Sequence, residues 1–338
     1  MDHAEQLRIL ESAQGDPAKL ALATVELAYG ELPKCERAAL GEGLEAASIP
    51  HWCNEIILKT LLAISSEESA DRFSRLSRLT VLEPFTARGG DAMNVHEATR
   101  LALRKRLAAY DHTRFTTLSS RLVAYFENDL TAAGRIEWIY HLLCSDPERG
   151  ATELENLDRS WSRTAHPEHR YGLAAALTEL EDTQVVQGRA RVWVLLVIAW
   201  VHVSRGQSAR LAGTATSILH LARSAADLRG EGDAQCLLGD ALQAQGKLVE
   251  AQAAFEVSLA ISRRLAEQDP NNAGWQRELA VAQSRIEDVL QAQGKLAEAQ
   301  AAFEVTLAIS RWLTELDPNN AAWQRDLAVS QSRMGDVL

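Results

Sequence analysis

The chain has 338 residues, of which 46% are hydrophobic and 24% charged, enough for two or three domains around a sizeable buried core. A formal net charge of −11 repels polyanions unless basic residues gather on one face. The four cysteines, Cys35, Cys53, Cys144 and Cys236, lie far apart and form no CxxC pair, so neither a zinc knuckle nor a disulfide framework is expected.

The N-terminus is charged from its second residue and no apolar stretch follows a basic start, so no secretory signal is expected. The thiols are then expected to be buried in a reducing cytoplasm. Ala, Leu, Glu, Gln and Arg dominate the composition, the side chains that lose least rotamer freedom in a helix, and an all-α protein is expected.

Residues 1–32 read as lead-in helices. Over 33–110 three helix-like stretches (33–47, 51–63 and 67–79) precede Val81-Leu82-Glu83-Pro84-Phe85, a turn at Arg88-Gly89-Gly90-Asp91, and Met93-Asn94-Val95-His96. A further helix runs from 97 to about 109. Three helices followed by one short β-hairpin form the winged-helix plan, with Gly-Gly-Asp as the wing. Between 67 and 106 stand eight basic and six acidic residues, so this stretch carries +2 where the remainder carries −13. Arg72, Arg75 and Arg78 recur at i, i+3 and i+6 on the third helix, where a groove-reading helix keeps its contacts. With Arg88 they form a candidate face either for nucleic acid or for docking on an acidic domain. Nucleic acid is the lesser expectation, because phosphate contacts must overcome the repulsion of the whole chain.

Through Val81-Leu82-Glu83-Pro84-Phe85 and the run from Asn94 to Leu107, this segment resembles the winged-helix domain of STAND-type (NB-ARC) signalling NTPases. The resemblance covers about 80 residues. It implies a module lying between a nucleotide-binding domain and helical repeats, with a histidine at the place of His96 touching a nucleotide phosphate. No GxxxxGK(S/T) loop exists in the chain, so the cradle that would give His96 that role is missing and no cofactor is expected. His51 and Cys53 stand two apart, the germ of a thiolate–imidazole nucleophile. The winged-helix plan buries Cys53 in the second helix, and no protease-like context surrounds it.

Residues 111–230 read as irregular helical hairpins, with helix-sized segments at 115–126, 133–143, 169–180, 189–203 and 208–228. The longest apolar run, 192–203, is 12 residues long against the roughly 20 that a membrane span needs. It reads as a helix buried on most of its faces. His141 shares an apolar stripe with Trp138 and Leu142 and reads as a core histidine. His166 and His169 lie one helical turn apart, yet third and fourth metal ligands are not apparent and Pro167 suits a helix start, so no metal site is expected. No GxSxG elbow or other catalytic signature is present, and an enzyme is not expected.

From 231 onward the chain is repetitive. Residues 243–290 match 291–338 at an offset of 48 with 38 identities, a period that indicates a solenoid. In each unit a Gly-Lys turn divides two helix-length stretches, 272–293 and 297–316 in the second copy. Asp-Pro-Asn-Asn closes it, proline stopping one helix and asparagine capping the next. Gly239, Leu242, Gly246, Ala251 and Phe255, repeated by Leu290, Gly294, Ala299 and Phe303, carry a resemblance to the tetratricopeptide (TPR) family. The family's usual unit is about 34 residues, so extra turns around the Trp-Gln-Arg segment absorb the difference. The chain stops at 334–338 with the first helix of another unit begun, which reads as a cut through an array that leaves an apolar helix face uncovered.

The whole is expected to be all-α. A right-handed TPR-like helical-hairpin solenoid (231–338) follows a winged-helix-like module with one short β-hairpin. The resemblance implies protein binding or scaffolding, as the sensor or regulatory arm of a STAND-like system in the cytoplasm. The expected partner is a protein or peptide, with no membrane and no small-molecule substrate. Arg263, Arg277, Arg311, Arg325 and Trp312, which replaces Arg264 of the preceding unit, are the candidate partner-binding residues. A winged-helix DNA-binding regulator is the alternative.

Overall fold

The computed structural model describes residues 3–162 and 166–337, with the side chains of residue 3 and residues 333–337 left undescribed. Among the described residues it contains 17 α-helices and one two-stranded sheet, an all-α, solenoid-like fold with a single short β-hairpin. The chain divides into two compact units, Met1–Leu157 with Tyr171–Ala190, and Asp158–Arg170 with Arg191–Leu338. Residues 111–230 therefore contribute to both. The uncovered face expected at 334–338 lies outside the described side chains.

In the first unit α1 (His3–Ala13) and α2 (Pro17–Ala28) lead in, and Asp16 starts α2 by accepting from the amides of Ala18 and Lys19 ahead of Pro17. α3 (Lys34–Ala47), α4 (Glu55–Leu62) and α5 (Ser66–Leu76) follow. Asn54 and Ser65 cap the last two, and Ala63, at φ 54, turns the chain between them. β1 (Leu82–Pro84) pairs antiparallel with β2 (Met93–Val95), and α6 (Glu97–Tyr110) departs from the hairpin. The second helix begins at Glu55, not at 51. Residues 51–54 are irregular instead: the chain bends at His51 and Trp52, and Cys53 and Met93 exchange backbone hydrogen bonds of 2.8 Å in an isolated antiparallel bridge beside the hairpin. Cys53 is thus buried in the linker before α4, outside any helix. α7 (His112–Phe126), α8 (Ala132–Ser145) and most of α9 (Pro147–Trp161) and α10 (Pro167–Thr183) complete this unit. α9 follows the Asp146-Pro147 break, which the sequence marks only as punctuation.

In the second unit α11 (Gly188–Ser204) buries Val192, Trp193, Val194, Leu196, Val197, Ala199 and Val201, as its apolar run requires. No described helix is long and apolar enough to cross a membrane. The stretch 208–228 is not one helix. α12 (Ala212–Ser224) ends where Ala226 takes φ 52, and Asp227 caps α13 (Leu228–Ala244). Then come α14 (Leu248–Gln268), α15 (Ala273–Ala292), α16 (Leu296–Leu316) and α17 (Ala321–Val337). Each helix from α12 to α17 packs on the next, so the stack begins one helix before the regular repeat. Gly246 and Gly294, at φ 76 and 77, make the tight turns inside the hairpins. Asn272 and Asn320 cap α15 and α17 with the same pair of side-chain acceptor bonds.

Candidate functional site

The repeat places a periodic set of charges along α13, α15 and α17. Arg229 pairs with Glu278, and 48 residues later Arg277 Nε pairs with Asp326 Oδ2 at 2.7 Å. Both pairs join the first helix of one hairpin to the first helix of the next. Arg277, expected to await a partner, is therefore occupied within the array. Arg263 on α14 and Arg311 on α16 are exposed, as is Arg325 on α17, while Trp312 is half-buried. Arg263 and Arg277 lie within two turns of the Asp-Pro-Asn-Asn connection of one hairpin, and Arg311 and Arg325 within two turns of the next, so all four share one end of the hairpins. Of the four, only Arg277 lines the groove of about 130 Å³ that includes Val281, Ser284, Ser310, Asp326 and Val329.

One departure from the repeat is internal. Gly239 lets the ring of Phe255 approach so closely that a Cβ would lie 2.4 Å from it. The equivalent position in the next unit is Glu287, 2% exposed, whose Oε1 accepts from the Thr306 hydroxyl. The small residue of the first unit is replaced there by a buried carboxylate.

In the stretch 33–110 the arginines of α5 are less available than their spacing suggests. Arg72 donates to Glu68 at 2.5 Å, and Arg75 pairs with Asp71 at 3.1 Å and Glu36 at 3.2 Å. Arg78 is exposed. The guanidinium of Arg88 lies 5.2 Å from the centre of the Trp52 ring. Arg100 and Arg104, part of the +2 excess, are 6% and 1% exposed and both bind Glu179. Four of the eight basic residues of 67–106 are thus paired within the protein, two of them buried.

Arg100 and Arg104 belong to a buried polar cluster that the sequence reading missed. Arg104 also donates to the Ser48 carbonyl and the Tyr140 hydroxyl, each at 2.7 Å. His51 Nδ1 lies 3.0 Å from Glu137 Oε1, and His51 Nε2 lies 3.3 Å from Glu179 Oε2, an ion-pair distance without hydrogen-bond alignment. His141, fully buried, sits 3.3 Å from the other Glu137 oxygen. The cluster ties the 49–53 linker and α6 to α8 and α10. A sequence signal existed: Arg100, Leu103, Arg104 and Leu107 share one face of α6, so two arginines stand on its buried stripe.

Burial alone would lower the His51 pKa, but the carboxylates of Glu137 and Glu179 outweigh it and raise it. Burial would raise Glu137, yet His51 and His141 hold it well below the ordinary range, and Glu179 is held at about 2 by His51, Arg104 and Arg100 against the same desolvation. His141 itself is pushed down to about 4 by desolvation and stays neutral, the core histidine its stripe predicts. The Cys53 thiol is raised by burial and bonds to the Asn54 carbonyl, so it is no nucleophile partner for His51, which is committed to two glutamates. Cys144 and Cys236 are likewise buried and pushed up to about 12, whereas Cys35 is exposed, against expectation.

At the start of α10 the structure supplies a third donor to the histidine pair. Glu168 Oε1 lies 2.8 Å from His166 Nδ1, and the His166 and His169 rings stack at 5.1 Å. The three ligand atoms lie within 4.8 Å of one another, but His166 and Glu168 are more than 60% exposed and satisfy each other. No family model matches the chain, and no curated protein matches it either.

Proposed function

We propose that this protein is an interaction scaffold whose stacked hairpins, resembling tetratricopeptide units, receive a protein or peptide segment of acidic or amphipathic character. The observation that carries this reading is the repeating register. Arg229–Glu278 and Arg277–Asp326 fix successive hairpins at a constant offset, which brings Arg263, its repeat equivalent Arg311, and Arg325 of the following helix to the same end of the hairpins as an exposed basic row. Exposed cations at one end of a helical stack suit a segment that carries carboxylates. The module spanning 33–110, resembling the winged helix of STAND-type regulators, fits a sensor or regulatory arm in the cytoplasm.

The test is affinity capture with the wild type and with Arg263→Glu, Arg311→Glu and Arg325→Glu combined, Arg277 being left intact to preserve its bond to Asp326. Loss of a defined set of captured proteins is the expected result. Retention of every one of them would remove the basic row from consideration. The competing reading, a DNA-binding regulator, rests on the helix–hairpin order of the module, and is weakened by the internal pairing of Arg72, Arg75, Arg100 and Arg104.

A further inference from the structure

The first unit contains a cleft of about 670 Å³ formed where the 51–52 linker and the wing face α8 and α10. Its size is that of a small-ligand pocket. One side is aromatic, with Trp52 and Phe85, and the floor is built of Ala133, Ile136, Gly172, Ala175 and Ala176. Glu137 and Glu179 also face it, but both are committed to His51, His141 and the α6 arginines. Three charged side chains on the lining are free: among the described residues, those of Glu97, Asp182 and Arg88 make no ion pair or hydrogen bond. Glu97 and Asp182 are exposed at the rim.

Arg88 shows how such a cleft is used. It comes from the wing, one residue before Gly89, and its guanidinium lies over the Trp52 ring at 5.2 Å with no carboxylate beside it. A guanidinium gains from an indole face and gains again from a carboxylate at its edge. Arg88 has the first and lacks the second. Gly89 stands at φ 101 and is followed by Gly90, with open space around both Cα atoms, so the backbone beside Arg88 has room to change course.

We propose that this cleft is a recognition site for the guanidinium of an arginine side chain presented by a partner polypeptide, and that Arg88 is its internal placeholder. The incoming group displaces Arg88 from the Trp52 face and reaches the rim carboxylates of Glu97 and Asp182, its methylenes lying on the alanine floor. The free charge of the rim, two carboxylates against one guanidinium that leaves, is complementary to a cation once Arg88 has moved. This site is separate from the basic row of the hairpin array and stands or falls without it.

The experiment uses the full chain and two blocked peptides, acetyl-Gly-Arg-Gly-amide and acetyl-Gly-Glu-Gly-amide, titrated by NMR and tryptophan fluorescence. The arginine peptide is expected to bind and the glutamate peptide not. Arg88→Ala is expected to tighten the arginine peptide about threefold by vacating the indole face. Glu97→Gln with Asp182→Asn, both on the surface and harmless to folding, is expected to weaken it about fivefold. Trp52→Leu is expected to abolish the interaction, with circular dichroism confirming that the variant folds. If Arg88→Ala weakens binding, or if the glutamate peptide is preferred, the cleft is an anion site and the proposal is overturned. Binding unaffected by the Glu97/Asp182 pair would overturn it as well.

Discussion

Gly239 shows what a single missing methyl group does in this array. Its Cα hydrogen faces the ring of Phe255, which is completely buried in a cluster with Cys236, Ala251, Ile286 and Val289. Gly239→Val forces that ring out of place and is expected to cost about 1–3 kcal/mol, read as a lowered urea midpoint with unchanged slope. His51 is the other residue on which much depends. Its folded pKa is raised above 6.5, so its contribution is fully present below about pH 6.5 and is lost as pH rises through the folded value. His141 has the opposite sign: its folded value of about 4 lies below 6.5, so stability falls as pH drops through that window. Glu179, at about 2 against 4.5, contributes above pH 4.5 and loses its contribution only below that. His51→Gln is therefore expected to narrow the stability gap to wild type as pH rises from 6 to 9. His51→Ala at pH 6 should cost about 3 kcal/mol, because Glu137 is left buried with half its partners. A gap that widens with pH would contradict the protonated bridge.

At the scale of elements, the ion pairs between first helices act as register pins more than as sources of stability. Arg277 and Asp326 are 21% and 32% exposed, so their coupling in a double-mutant cycle is expected to be about 0.5–1 kcal/mol. Exchanging the two, Arg277→Asp with Asp326→Arg, should recover most of what either single change loses, in a thermal melt at low salt. Helix α5 shows the limit of reading a helix by spacing. Arg72, Arg75 and Arg78 do recur on α5, but Glu68 and Asp71 stand one turn before the first two and neutralise them. Such i, i+4 pairs are visible in the sequence. The link from Arg75 to Glu36 on α3 is not.

For the molecule as a whole, the net charge of −11 and the internal use of the basic residues near the wing lead to one expectation. The protein should not be retained on duplex DNA even at about 50 mM salt, where phosphate contacts are strongest. Retention that fell steeply with salt, and was lost in Arg78→Glu, would restore the DNA-binding alternative. The helical content, the hairpin at 82–95, the turn glycines and the asparagine caps were all legible, because each depends on local rules of periodicity, left-handed backbone and capping. The start of α4, the break at Ala226 and the fate of Cys53 were not, because a distant strand or a cap from the following helix decides them.

Residues close in the chain thus determined the elements, the 48-residue period and the apolar faces, since their energetics are settled within a turn or two of backbone. Only the tertiary structure decided which charges are spent. Arg100 and Arg104 meet Glu179 from 79 and 75 residues away, and His51 meets Glu137 from 86. Local pattern can put two arginines on the buried stripe of α6, but it cannot name their partners, because such a salt bridge exists only after the apolar faces have brought the helices together and excluded water from the groups between them.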